Sequence, residues 1–249
     1  MADFRIRRLE GVLEIAIDNP ATRNAFTPAM LQTLENLFAK AQSDIEVRGV
    51  LLLGSESVFS AGLAVSSLSD PEAYRAPTEK LLARLRAFPK PVVAAVQGPA
   101  VGFALALLDA CDIVLAGESV LFSAPFTALA LCPAWRLTGT LYRAAGPHRA
   151  AAALLLSEPF DARDALEFGF VSRICPEDAV ADEARARALR LAKMSRAALE
   201  TTKSLLRVAA QKPLSVDELE AQAYERLQNS PDYQKATEAF TSGQTPDFS

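Results

Sequence analysis

Two short apolar runs, VLLLG at 50–54 and VVAAV at 92–96, constrain what this chain can fold into more than anything else in it. Runs of this length with no polar residue at alternate positions read as strands covered on both faces, the kind found in parallel sheets flanked by helices. Each run leads into small residues. The first is followed by Val58-Phe59-Ser60-Ala61-Gly62-Leu63, the second directly by Gln97-Gly98-Pro99-Ala100-Val101-Gly102-Phe103. A helical pattern comes next in both cases.

The rest of the chain fits an α/β reading. Phe4, Ile6, Leu13, Ile15 and Ile17 alternate about a turn at Glu10-Gly11, which predicts a hairpin. Thr27-Pro28 is an N-cap followed by proline at the first helical position, and Met30, Leu31, Leu34, Leu37, Phe38 and Ala41 continue at helical spacing. A second helix is predicted over 72–88, stopped by Pro89-Lys90-Pro91. An apolar helix should run from Gly102 to near Cys111, with short strands at 113–116 and 120–122. Asp161 caps a helix that Gly169 ends, 171–175 is a last strand, and 176–240 reads as helical throughout. With 249 residues and no low-complexity linker, the division is an α/β core over 1–175 and a helical region over 176–249 packed on it.

Composition removes whole classes of function. A net charge of -4 argues against a general nucleic-acid binder. No apolar run reaches the length of a membrane span, and the first residues lack a signal-peptide core, so no membrane partner is expected. Cys111, Cys132 and Cys175 are far apart and odd in number, which fits reduced thiols in a cytoplasm better than disulfides or zinc. One histidine, His148, excludes multi-histidine metal sites and leaves no His-based triad unless it serves. Glycine-rich dinucleotide and P-loop motifs are absent, as is the nucleophile elbow.

The two small-residue loops remain. Where a strand ends and a helix begins, backbone N–H groups lack partners, and two such loops side by side could aim two donors at one oxygen. Ordinary tight turns, with glycine supplying unusual dihedrals, would show the same spacing.

FSAGL at 59–63 and QGPAVGFALALLDACDIVLAG at 97–117 resemble the two signature segments of the crotonase superfamily, the enoyl-CoA hydratase/isomerase family. Three further segments resemble it in the right order: Asn19 to Phe26, Phe160 to Val171, and Thr202-Lys203-Ser204-Leu205-Leu206. The resemblance implies a core of repeated ββα units with a helical tail, assembled as trimers or hexamers. It implies an acyl-CoA thioester as substrate or ligand, and no resident cofactor or metal. By carry-over, the backbone amides of Leu63 and Phe103 form an oxyanion hole for the thioester carbonyl. Arg23 and Ala25, with the main chain of Ser60, Ala61 and Leu63, line the CoA path, and Arg23 sits near phosphate.

The acids of the family do not carry over. The two glutamate positions of the hydratases read Ala106 and Phe126, and the single carboxylate position of the Δ3,Δ2-enoyl-CoA isomerases reads Ala134. The aspartate that commonly follows the first signature is Ala64. The basic residues that help with CoA phosphates are absent from 241–246. The isomerase branch is nonetheless the nearer one, through Phe103 in place of glycine and through Ser123 to Thr127 and Cys132-Pro133. Loss of an acid/base typically lowers a rate by about 10²–10⁴, so hydration should be poor. Asp109, one turn beyond Ala106, is a candidate carboxylate or a structural one. Arg136, beside Trp135, could bind an acidic acyl group or sit in a surface salt bridge. Cys132 is expected as a small buried apolar residue and His148 as a loop residue at a helix start. Two readings follow: isomerase-like chemistry on an acyl-CoA, or acyl-CoA binding without turnover.

Overall fold

The computed structural model describes residues 3–55, 57–210 and 215–244. Strands β1 (Phe4–Leu9) and β2 (Val12–Ile17) form the expected antiparallel hairpin, with Glu10 and Gly11 both at positive φ in its turn. Helix α1 (Pro28–Ser43) follows, its first turn capped by the Thr27 hydroxyl, which accepts from the Met30 amide at 3.2 Å. Then come β3 (Gly49–Leu53), α2 (Glu72–Ala87), β4 (Val92–Val96), β5 (Ala100–Val101), α3 (Phe103–Asp109), β6 (Ile113–Gly117) and β7 (Leu121–Ser123). The remainder is α4 (Leu137–Ala145), α5 (Pro147–Leu155), β8 (Phe160–Asp161), α6 (Ala162–Glu167), β9 (Arg173–Cys175), α7 (Val180–Ala192), α8 (Arg196–Ala210), α9 (Ser215–Gln228) and α10 (Pro231–Thr241). Asp161 caps α6 in a full capping box with Asp164.

Six strands make one sheet in the order β1-β2-β3-β4-β6-β9, parallel from β2 onward, and β5-β7-β8 make a small second sheet. The two apolar runs are its central strands. Period two divides their side chains between two cores. Val50, Leu52, Val92, Ala94, Val96 and Val114 face the large core under α1, α2 and α3. Leu51, Val93, Ala95 and Leu115 face the other way, onto Val180, Ala184, Ala188 and Ala192 of α7. Four alanine or valine side chains at every fourth residue give α7 a flat face that can lie close to the sheet. Each fully buried Leu or Val here contributes about 1.5–3 kcal/mol relative to exposure.

Buried polar groups tie the outer helices to this frame. Glu35 of α1, almost fully buried, pairs with Lys80 and Arg84 of α2 at 3.2 and 3.0 Å, and these two cations hold its carboxyl below the usual glutamate value against the opposing effect of burial. Lys203 of α8 donates to the Lys90 carbonyl at 2.8 Å and to Asp112 at 2.5 Å, and Asp112 also accepts from the Val92 amide. Burial pulls the Lys203 amine below the ordinary lysine range while Asp112 pulls it back.

The short helix α4 was not expected from spacing, and α5 begins at Pro147, beside the helix start expected at His148. The strand expected at 120–122 runs Leu121–Ser123, and the one expected from 171 starts at Arg173. Residues 211–214 of the expected helical stretch, and Thr245 and Pro246 of the tail, lie outside the described residues. No helix among the described residues is long and apolar enough to cross a membrane.

Candidate active site

Both small-residue loops leave the carboxyl ends of neighbouring parallel strands, β3 and β4, where open α/β sheets place their ligands. They are bonded to each other. The Phe59 and Ser60 amides donate to the Pro99 carbonyl at 3.1 and 3.2 Å, and the Val101 amide donates to the Ser60 carbonyl at 3.0 Å. Gly98 must be glycine, because a Cβ there would stand 2.2 Å from the Ser57 carbonyl oxygen. Gly62, at φ +91, meets the same limit: a Cβ would stand 2.7 Å from the Val101 oxygen and 3.6 Å from the Phe103 nitrogen.

This packing fixes two amides. Leu63 forms an isolated parallel bridge with Phe26, in which the Phe26 amide donates to the Gly62 carbonyl (2.8 Å) and the Ala64 amide to the Phe26 carbonyl (2.9 Å). That register turns the Leu63 N–H away from Phe26. Phe103 is the first residue of α3, where a helix's own carbonyls offer its N–H no partner. The structure thus brings Leu63 and Phe103 together across Gly62.

The N-terminal loop clamps this pair. Asn24, fully buried at φ 58, donates from its side-chain amide to the Val58 and Phe59 carbonyls at 3.1 and 3.2 Å and accepts from the Asn19 amide at 2.8 Å. Its own carbonyl accepts from the Ser60 hydroxyl at 2.8 Å, and Ser60 Oγ accepts from the Gly62 amide at 3.0 Å. Asn24 was not singled out by sequence; its side-chain amide joins the Ser55 N–H and hydroxyl on the Val58 carbonyl and reaches the Phe59 carbonyl as well. The Ser60 N–H and carbonyl are both engaged, and the Ala61 N–H donates to the Arg23 carbonyl at 3.0 Å. These bonds of Ser60 hold the two loops together, and its carbonyl keeps a second lone pair. Ala25 is buried, and Arg23 is exposed at φ 55.

Leu63 opens onto a cavity of about 490 Å³, within the range of small-ligand sites. One wall is α2 through Tyr74, Thr78, Leu82 and Arg86; others are Ala134-Trp135-Arg136 and Tyr224 of α9. The Trp135 ring stands edge-on to Phe103 at 5.2 Å, 5.9 Å from Phe126 and 6.2 Å from Tyr224. Phe103 in turn meets Phe26 at 5.6 Å. Trp135 and Arg136 are consecutive non-glycine residues at positive φ, 57 and 76, an uncommon and strained backbone. Arg86 donates to the Trp135 carbonyl at 2.7 Å and braces it.

No carboxylate occupies the three acid positions. Ala106 is fully buried in the large core, Phe126 is 5% exposed within the aromatic cluster, and Ala134 is 5% exposed on the cavity wall. Asp109 is not on that wall. Its carboxylate lies 4.0 Å from Arg86, and burial raises its pKa against the opposing influence of Arg86, Thr140, Arg136 and Arg143. Arg136 is half-buried on the cavity wall. Cys132 is only partly buried, and His148 is exposed in the first turn of α5. Burial raises the Tyr224 phenol well above its usual range, so it faces the cavity as a neutral hydroxyl.

Residues 7–249 match the family described as Enoyl-CoA hydratase/isomerase. The chain is 31% identical over 252 residues to the 2,3-dehydroadipyl-CoA hydratase of Escherichia coli, covering 100% of this chain and 99% of that protein. It is 29% identical over 259 residues to the 1,2-epoxyphenylacetyl-CoA isomerase of the same organism, at 100% and 99% coverage. An enoyl-CoA hydratase structure from Mycobacterium avium subsp. paratuberculosis superposes with a TM-score of 0.89 at 30% identity, covering 100% of this chain and 99% of that one.

Proposed function

This chain belongs to the enoyl-CoA hydratase/isomerase family, and on that premise we propose that it holds an acyl-CoA thioester with the carbonyl oxygen between the Leu63 and Phe103 amides and favours isomerase-like chemistry over hydration. Members of this family act on acyl-CoA thioesters. The observation that supports the proposal is the close approach of the two loops at Gly62, beside Leu63 on the wall of a cavity of about 490 Å³. Two such donors stabilise negative charge that develops on a thioester oxygen when Cα loses a proton, and they need no reorganisation to do so. On this reading Arg23 and Ala25, on the loop bonded to the first small-residue segment through the Ala61 amide and the Arg23 carbonyl, would line the CoA path.

Hydration needs one group to activate water and another to deliver a proton to Cα. Ala106 and Phe126 do neither, and the ring of Phe126 against Trp135 keeps water from that corner. A double-bond shift needs only one proton carrier, which leaves it the easier reaction for this site. The second reading, binding without turnover, rests on a specific observation: the nearest carboxylate of α3, Asp109, is turned to Arg86 rather than to the cavity.

Isothermal titration with butanoyl-CoA and hexanoyl-CoA, beside the free acids, tests the shared claim. Saturable binding of the thioesters with much weaker binding of the acids is expected; no saturation with either thioester would overturn it. We also propose assembly as a trimer or hexamer. Exposed Leu155, Leu156, Leu205 and Leu206 provide apolar surface for a subunit contact to cover. Sedimentation velocity should show a trimer or hexamer at micromolar protein, and a monomer alone would contradict this.

A further inference from the structure

The phenols around the cavity differ in how their hydroxyls are used. Tyr74, on the wall, shares a 2.7 Å hydrogen bond with the Ser66 hydroxyl. Tyr233, whose charge the Tyr224 phenol would feel, donates to the Leu68 carbonyl at 3.1 Å. Tyr224 of α9, also on the wall, has no hydrogen-bond partner for its hydroxyl among the described residues. Burial raises its pKa first, then Tyr233 and Cys132, with Arg75 opposing, so the group keeps its proton and remains a donor. A tyrosine enclosed to this degree ordinarily gives its O–H to an acceptor, because leaving a desolvated donor unpaired is unfavourable.

The place of this hydroxyl relative to the two amides follows from the rings. Trp135 meets Phe103, the first residue of α3, at 5.2 Å and Tyr224 at 6.2 Å. Tyr224 is therefore joined to the Phe103 side of the site through the Trp135 ring, and Leu82, Ala134 and that ring supply apolar wall for methylenes. The charge beside Tyr224 selects the kind of group it can meet. Arg75 is already held by Glu225 at 3.1 Å and by Glu72 at 2.7 Å, and Glu79 acts on it as well. Three carboxylates around one guanidinium repel an anion, whereas a neutral oxygen loses nothing to them.

We propose that the Tyr224 hydroxyl donates a hydrogen bond to a neutral oxygen, a ketone or a hydroxyl, on the distal part of the acyl chain, so that the preferred ligand is an oxygenated acyl-CoA rather than a plain hydrocarbon one. This rests on the acyl-CoA reading above and deepens it. Tyr224 is then a residue that sets specificity, and its O–H finds in the ligand the acceptor that the described residues do not give it.

Calorimetry on the full chain compares hexanoyl-CoA with 4-oxohexanoyl-CoA and 5-oxohexanoyl-CoA, each of which carries a ketone where hexanoyl-CoA has a methylene. The readout is the affinity for the tighter ketone relative to that for hexanoyl-CoA. This ratio should fall about two- to tenfold from the wild type to Tyr224→Phe, the worth of one neutral hydrogen bond. Hexanoyl-CoA should bind both proteins alike, because the variant keeps the ring against Trp135. An unchanged ratio, including a parallel loss of affinity for all three ligands, would overturn this inference alone. So would weaker binding of both ketones than of hexanoyl-CoA by the wild type, a result that needs no variant to fold. No binding of any of the three would overturn the acyl-CoA reading and this inference with it.

Discussion

Gly62→Ala should abolish turnover and most acyl-CoA binding, because it acts on both of the amides proposed to hold the thioester oxygen. Gly62 sits at φ +91, and its added Cβ would lie 2.7 Å from the Val101 oxygen, closer than real contacts allow. The Val101 carbonyl belongs to the second loop, so relief can come only by parting the loops or rotating their peptides. Either movement separates the Leu63 and Phe103 amides. Removing a single oxyanion donor typically lowers kcat by about 10²–10³, and displacing two should be at least as severe. A stability loss of about 1–3 kcal/mol should accompany it, from the unfavourable φ. Gly146→Ala is the control. It is also at positive φ, 78, but a Cβ there meets nothing within 4 Å, and it lies between α4 and α5. It should lower the melting temperature and leave the binding heat intact. Undiminished acyl-CoA affinity in Gly62→Ala would contradict the account.

Ala134→Glu should raise 3-enoyl-CoA isomerase activity, by up to about 10²–10⁴, the usual worth of a placed proton carrier. Ala134 lies on the cavity wall next to Trp135, so a longer side chain there extends into the space where Cα and Cγ of the acyl group would lie. Trp135 limits the gain by crowding the new carboxylate. Ala106→Glu has a different outcome. Ala106 is fully buried among Phe103, Leu105 and Leu107 neighbours of the large core, so a glutamate there has no partner and destabilises the fold without supplying hydration. A coupled spectrophotometric assay on 3-hexenoyl-CoA reads the first effect, and loss of the conjugated enoyl absorbance of crotonyl-CoA reads the second. Fast hydration by the unmodified chain would show that another group supplies the protons. No gain in Ala134→Glu, with acyl-CoA binding intact, would favour the non-catalytic reading.

The sheet was legible because burial on both faces leaves a simple mark. No polar residue interrupts 50–53 or 92–96, and β3 and β4 appear at those places. The loops stood out through their small residues and through the resemblance of 59–63 and 97–117 to two signature segments; the structure adds that a Cβ at Gly62 or Gly98 would strike backbone. Chain order alone could not give the cavity. Its walls come from α2, the segment 134–136 and α9, which lie far apart in sequence, and the polar residues of α2 that face it look like a solvated helix face. Short α4 and α5 carry too few turns for periodicity to stand out, although the start of α5 was legible at Gly146-Pro147-His148. Nothing marks Trp135 and Arg136 as left-handed, since neither is Gly or Asn; tertiary bracing by Arg86 sets that conformation.

The position of a bound thioester is the most direct measure of the central claim. A crystal structure with a non-hydrolysable hexanoyl-CoA analogue should place its carbonyl oxygen about 2.7–3.1 Å from both the Leu63 and the Phe103 nitrogen, with the acyl chain running along α2 past Ala134. An oxygen beyond hydrogen-bonding reach of both amides, with the ligand fully ordered, would contradict it.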